Sequence, residues 1–297
     1  MVIHHSIQNF YRTMNFNCDP INWTSHKVEI QKLFNIAKVS SMDFTNTLII
    51  GAGNAYDLPL SEIAACYKNI DLLDIDWQTI HETKHKFDES TQQKIKLINI
   101  DIVDIPVDEV QEIVSCLSTN AMRARKLLNA LLIDFRVCPI HILEPTTYSL
   151  VISSTVSSQL VIPFVQVVEQ SGNRELITLA KHFGDLVAEK HLQQLWQFLK
   201  AETGVGIITS EQYAWGYFAD RRPLPLTNLI DNPASMLRQD VQLEIERLRG
   251  GLTINGRITS SMIQKVIPTK NIVLKKQWIW QFSEDIYYLV EGWIISK

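Results

Sequence analysis

The chain has 297 residues, 46% of them hydrophobic and 20% charged, with a formal net charge of -4. That length and apolar content suffice to bury a substantial core, as one large domain or one domain with a sizeable insertion. The slight acidity and the absence of a long basic run argue against a nucleic-acid partner, and no apolar stretch approaches the roughly 18 residues that a membrane span requires.

The opening residues, with His4, His5, Asn9 and Arg12, do not read as a signal peptide, so a cytoplasmic protein without a membrane partner is expected. Cys18, Cys66, Cys116 and Cys138 lie far apart with no C-x-x-C pair, which predicts neither a metal site nor a disulfide framework.

Residues 1–40 read as two helical pieces broken around Asn17, Asp19 and Pro20, the second carrying Val28, Ile30, Leu33, Phe34, Ala37 and Val39 at mostly helical spacing. They form a helical N-terminal cap ahead of a main domain spanning 41–297. Tyr11, Arg12 and Trp23 are candidates to cover a ligand, although packing against a sheet edge is the plainer role for them.

Thr47, Leu48, Ile49 and Ile50 make a continuous apolar run suited to a central parallel strand, and it feeds directly into Gly51, Ala52, Gly53 and Asn54. Glycines at the first and third places of that turn remove side chains that would block a ligand, leaving backbone N–H groups to face it. A glycine pair alone is weak evidence, since turns without ligands use it too. Two acids strengthen it. Asp74 ends a second apolar run, Ile70 to Ile75, and Asp101 ends a third, Ile95 to Ile100. Three strands thus deliver polar groups at their carboxyl ends, the edge at which open α/β sheets bind ligands.

Helices are expected over Pro59 to Tyr67 and Asp76 to Glu89, returning the chain for parallel pairing. The stretch 104–147 is too long for a simple crossover and predicts a helical excursion over Val110 to Arg136, interrupted near Ser118 to Asn120, with Arg123, Arg125 and Lys126 on its solvated face. Strand four is predicted over Tyr148 to Ser153, followed by the small hydroxyls of Ser154, Thr155, Ser157 and Ser158 and by Gln159. Helices over Val161 to Gln170 and Arg174 to Lys200 come next, with Gly204 as a stop and Val205 to Ser210 as strand five. A second insertion, 219–272, contains an amphipathic helix from about Ala234 to Arg249, ended by Gly250 and Gly251. Two alternating strands, Gln277 to Phe282 and Ile286 to Ile295, close the chain.

In this order of glycine loop, acid after strand two, acid after strand three and polar stretch after strand four, the chain resembles the class I S-adenosylmethionine-dependent methyltransferases. The resemblance covers most of the chain. It implies an α/β fold with a seven-stranded, mostly parallel sheet, a C-terminal antiparallel hairpin and helices on both faces. It also implies S-adenosylmethionine as cofactor and S-adenosylhomocysteine as product. By that analogy Gly51, Ala52, Gly53 and Asn54 lie under the methionine part of the cofactor. Asp74, with Ile75, takes the ribose hydroxyls, and Asp76 is a second candidate for them. Asp101 with the Ile102 backbone brackets the adenine, and Ser154 and Thr155 face the methyl group.

The chain departs from the family at two places, holding Ile49 where an acid is usual and Ala55 where a third glycine is usual. With Ile49 there, Asp57 either binds the cofactor's ammonium or caps the following helix. The loop after strand four also lacks the Asn or Asp, prolines and aromatic of amino-directed nucleic-acid and protein-glutamine enzymes.

Methyl transfer from a sulfonium needs alignment and exclusion of water more than it needs catalytic side chains. Glu211 and Tyr213, at the exit of strand five, are the candidates for a base or orienting group; His141 and His182 read as structural. The expected acceptor is a small molecule or short peptide, methylated at oxygen or nitrogen, with both insertions building its pocket. An aminopropyl-type transferase using a related sulfonium and a nicotinamide-dependent oxidoreductase are the alternatives. A homodimer is left open.

Overall fold

The computed structural model describes residues 23–138, 143–157, 159–218, 220–247 and 256–297, with side chains from 259 onward in the last stretch. The expectations placed on residues 1–22, including Tyr11 and Arg12, and on His141, Ser158, Arg249, Gly250 and Gly251 lie outside the described residues.

Four short apolar runs form one half of the sheet, with β3 at its edge: β1 (Asn46–Ile50), β2 (Asn69–Leu73), β3 (Ile95–Ile98) and β4 (Leu150–Ser154). They pair in parallel with one another, and β4 pairs in parallel with β5 (Val205–Gly216). Two alternating strands, β6 (Ile272–Gln281) and β7 (Ile286–Ser296), complete the sheet in the order β3-β2-β1-β4-β5-β7-β6, with β7 antiparallel to both of its neighbours. This is the Rossmann-like sheet with a terminal antiparallel hairpin that the sequence predicts. Strand order reverses between β1 and β4, so the crevice for a ligand opens at their carboxyl ends.

Helices cover both faces because β1 is apolar on both. Ile49 packs with Ile30, Leu33 and Phe34 of α1 (Thr24–Ser40), Ile63 of α2 (Leu60–Cys66) and Ile80 of α3 (Trp77–Lys84). Leu48 and Ile50 face the opposite core. There they meet α5 (Val107–Cys116), α6 (Ala121–Val137), α7 (Ile162–Gln170), α8 (Arg174–Phe198) and α10 (Gly256–Val266). Short α4 (Glu89–Gln92) precedes β3, and α9 (Gln239–Arg247) lies in the late insertion. Each fully buried Leu, Ile or Phe contributes about 1.5–3 kcal/mol of transfer free energy, so the two cores fix which edge of the sheet carries the loops.

The structure corrects several expectations. The excursion over 104–147 is helical as predicted, with Arg123 paired to Glu112 and Arg125 to Glu175 at the surface. Its apolar positions enter the core beside α7 and α8, with Val110, Ile113, Leu128 and Phe135 all buried, so this insertion supports the sheet. α8 ends at Phe198, where Leu199 turns extended (ψ 131°), well before Gly204.

Strand five runs past Ser210 to Gly216 because β7 continues to pair with it, so Glu211 and Tyr213 lie within a strand and not in a loop beyond it. α8 begins at an asparagine cap, with Asn173 Oδ1 accepting the N–H groups of Glu175 (3.1 Å) and Leu176 (3.2 Å). Asn173→Ala is expected to lower the urea midpoint by an amount equivalent to about 1 kcal/mol at unchanged m-value; an unshifted midpoint would show that the cap contributes nothing.

Candidate functional site

The glycine loop leaves β1 in a left-handed conformation. Gly51 has φ +62° and Gly53 φ +43°, values at which a side chain is strained. A Cβ on Gly51 would also lie 2.5 Å from Val156 Cγ2, so this glycine serves the packing of the loop after β4 as well. Ala55 also has positive φ (+48°), a conformation that costs a residue with a Cβ about 1–2 kcal/mol. The Ala52 N–H donates to Leu73 O (3.1 Å) and the Ala55 N–H to Ala52 O (2.8 Å), tying the loop to β2 and closing its turn. Asn54 is half-buried on the loop.

Asp74 joins that loop directly. Its Oδ2 accepts the Gly53 N–H (2.9 Å) and its Oδ1 the Asp76 N–H (2.8 Å). Burial pushes its carboxyl up to about 6, against the opposing pull of those two N–H groups. The Thr83 hydroxyl donates to Gly53 O (2.8 Å), so α3 clamps the loop from beneath. Asn99, which sequence reasoning missed, bridges the next strand by donating from Nδ2 to Asp74 O and Ile75 O, both at 2.9 Å. Asp76 is the cap of α3, accepting from Thr79 N–H (3.4 Å) and Thr79 Oγ1 (2.8 Å), a role that competes with ribose binding.

Asp101 stands at the same carboxyl edge but turns its carboxylate into its own loop. Oδ1 accepts the Val103 N–H (2.9 Å) and Oδ2 the Ile105 N–H (3.2 Å), while the neighbouring Ile102 side chain is buried.

Of the two roles open to Asp57, capping falls away: the cap position of α2 is Pro59, with no side-chain bond. Asp57 Oδ2 instead accepts the Ser154 hydroxyl (2.6 Å) and lies 3.8 Å from His26 Nε2. Burial alone would raise this carboxyl, but the His26 ring and the Ser154 hydroxyl outweigh it and hold Asp57 below the ordinary range. Ser154 Oγ is 3.2 Å from Thr209 Oγ1, which also accepts the Thr155 N–H (3.0 Å), so the ends of β4 and β5 share one polar chain.

His26, also missed from sequence, is fully buried in α1 and stacks on Trp280 with centroids 4.1 Å apart. Its Nδ1 accepts the Trp278 indole N–H (3.0 Å), which turns Nε2 toward Asp57.

A bulge at Gln212 separates the two proposed catalytic residues. Glu211 pairs with Val290 and Tyr213 with Leu289, adjacent β7 residues that point to opposite faces. Glu211 therefore shares the face of Thr209 and Val290. Tyr213 looks into a cavity of about 340 Å³ on the other face, where its hydroxyl donates to Ile245 O (3.3 Å). Ser260, Gln264, Gln242 and Gln277 also line this cavity, so the second insertion contributes to it. The Thr259 hydroxyl donates to Ser157 Oγ (2.7 Å), which docks α10 on the loop after β4. His182 is exposed on α8, whereas the buried histidine of that helix is His191. No group of three or more His, Cys, Asp and Glu suited to a metal occurs among the described residues, and no helix of these is long and apolar enough to cross a membrane.

No protein-family model and no curated protein matches the chain. Among solved structures it is similar to a SAM-dependent methyltransferase from Leishmania major, at 12% identity and TM-score 0.41, over 91% of this chain and 72% of that one. It is also similar to a SAM-dependent methyltransferase from Aquifex aeolicus, at 10% identity and TM-score 0.37, over 91% and 98%. A third is the YcgJ protein from Bacillus subtilis, at 8% identity and TM-score 0.42, over 89% and 96%. Likeness this distant carries no weight beside the sheet order and the rim geometry.

Proposed function

We propose that the chain is an S-adenosylmethionine-dependent methyltransferase acting on an oxygen or nitrogen of a small molecule or short peptide. The observation that carries this reading is the Gly53–Asp74 hydrogen bond at the switch point of a sheet that ends in an antiparallel hairpin. There an acid and a turn of backbone N–H groups are held as one unit, which suits a nucleoside with its ribose toward Asp74. Asp74 Oδ2 accepts the Gly53 N–H and Oδ1 the Asp76 N–H, and a carboxylate's roughly four acceptor sites leave room for a ribose hydroxyl. Asp57, kept ionised beside Ser154, fits an ammonium in place of the acid that Ile49 cannot supply.

S-adenosylmethionine supplies an electrophilic methyl on its sulfonium. Asp74 at its ribose and Asp57 at its ammonium would hold it with that methyl presented to a lone pair of the acceptor. The chain's own part is to orient the reactants and exclude water, effects that together reach roughly 7–11 kcal/mol in well-aligned reactions. The cavity beside Tyr213 is the acceptor site in this proposal. Glu211 lies two residues beyond Thr209, roughly 7 Å along the strand, nearer the Asp57 chain of polar groups. A cytoplasmic setting without nucleic acid or membrane belongs to the same proposal.

A nicotinamide enzyme is disfavoured by Tyr56 at the last place of G-x-G-x-x-G, exposed with Lys86 4.5 Å over its ring, and by the antiparallel β7. Calorimetry with S-adenosylmethionine, S-adenosylhomocysteine and NAD tests the proposal. Saturable binding of the first two is expected; NAD binding with no heat from either sulfur nucleoside would overturn it. A product heavier by an aminopropyl group instead of a methyl would redirect it to that transfer.

A further inference from the structure

The cavity beside Tyr213 carries an unusual charge arrangement. Its inner wall is Glu291 of β7, only 2% exposed. Glu291 Oε1 accepts the Trp293 indole N–H (3.0 Å) and the Ser260 hydroxyl; Oε2 accepts the Gln277 amide N–H (2.9 Å) and forms an ion pair with Lys275 Nζ (2.8 Å). Three hydrogen-bond donors and the Lys275 ammonium surround one carboxylate, so little of its acceptor capacity is left for a ligand. Lys275 is its counter-ion and sits 4.7 Å over the Trp293 ring. Among the described residues that line the cavity, the one acid and one base thus pair at contact distance.

What remains on the wall is neutral and rich in hydrogen-bonding groups. Gln242 spends its amide N–H on Met236 O and Gln277 spends its own on Glu291, which leaves both amide oxygens as acceptors. Gln264 and Ser261 come from α10, whose Thr259 is docked on the loop after β4. A charged ligand entering here would shed water without gaining an unpaired opposite charge from the described lining, where Lys275 and Glu291 already pair. A neutral ligand would exchange its hydrogen bonds to water for bonds to amides and hydroxyls.

We propose that this cavity binds an uncharged molecule bearing several hydroxyl or carboxamide groups, and that it discriminates against carboxylates and ammonium ions of the same shape. Its meaning as the methyl-acceptor pocket rests on the methyltransferase reading; the binding preference does not. Three matched probes separate the possibilities: N-acetylglucosamine (neutral), glucosamine (cation) and glucuronate (anion). Each is titrated into the nitrogen-15-labelled chain while the Trp293 indole N–H resonance, adjacent to Glu291, is followed.

N-acetylglucosamine is expected to shift that resonance saturably, at tenfold lower concentration than either charged probe. Gln277→Leu should weaken the neutral probe about fivefold, the loss of about one hydrogen bond. Lys275→Gln, which strips Glu291 of its counter-ion at an exposed position, should invert the order so that glucosamine binds best. Equal half-saturation for all three, or no shift from any at about 50 mM with the folded spectrum intact, overturns the proposal. S-adenosylhomocysteine is titrated into the same sample. Probe binding without nucleoside binding sinks the methyltransferase reading alone, and the reverse sinks the cavity proposal alone.

Discussion

Asp74→Ala is expected to weaken S-adenosylhomocysteine binding by about 1–3 kcal/mol, roughly 5- to 150-fold, measured by calorimetry at pH 7.5. The substitution removes the acceptor for the ribose and also the acceptor that holds the Gly53 N–H, so loop order and ligand contact are lost together. Asp74→Asn should not rescue it. Both carboxylate oxygens receive backbone N–H groups, from Gly53 and Asp76, and an amide must set its own NH2 against one of them. Wild-type affinity in the asparagine variant would remove Asp74 from the site.

The same contact predicts a pH dependence. Burial raises the Asp74 carboxyl to about 6, above its ordinary value of 3.8. A raised acid favours the protonated folded state, so its contribution to stability is present below about 3.8 and is lost as pH rises through about 6. Ligand binding runs the other way, because ribose hydroxyls donate to the ionised carboxylate. Affinity should therefore fall as pH drops through about 6, approaching tenfold per unit, and the slope should vanish in Asp74→Ala.

That much of the site was legible because its signals are local. The run Thr47 to Ile50, buried on both faces, reads as a central strand, and Gly51 and Asp74 sit at strand ends where chain direction alone puts them on one rim. The remaining parts depend on contacts between distant segments. His26 reaches Asp57 only because β6 brings Trp278 beneath α1, over a separation of 252 residues between the bonded rings. Ser210, Glu211 and Gln212 have the polarity of a loop, but pairing with β7 holds them in the ladder and absorbs the misfit as a bulge. Glu291 interrupts an otherwise apolar strand, and its partners come from β6, α10 and its own strand. The helices of 104–147 show the same limit from the other side: their periodicity was readable, while their docking against α8 was not.

His191 is the second group whose removal should have a large effect, and it acts on stability. It is fully buried in α8, with Nε2 2.8 Å from Ser153 Oγ on β4 and Nδ1 without a hydrogen-bond partner. Burial holds its conjugate acid down to about 4, against 6.5 for an ordinary histidine. A depressed folded value means that the neutral ring's contribution is complete above about 6.5 and drains away as pH falls toward 4, because the unfolded chain takes up the proton first. The full span corresponds to about 3 kcal/mol. Asp43, held near 2 by Lys200, adds acid sensitivity only below its ordinary 3.8, outside this window.

Urea unfolding between pH 7.5 and 4.5 should therefore show the wild type losing most of that amount relative to a variant lacking His191, because the opposing gain from Asp74 over the same range is common to both. His191→Leu alone strands the Ser153 hydroxyl and costs about 1–3 kcal/mol at pH 7.5, whereas His191→Leu with Ser153→Ala removes both partners and should be close to neutral there. The double variant is then expected to overtake the wild type near pH 5. An acid slope unchanged in that variant would place the proton uptake elsewhere and leave His191 as an ordinary core residue.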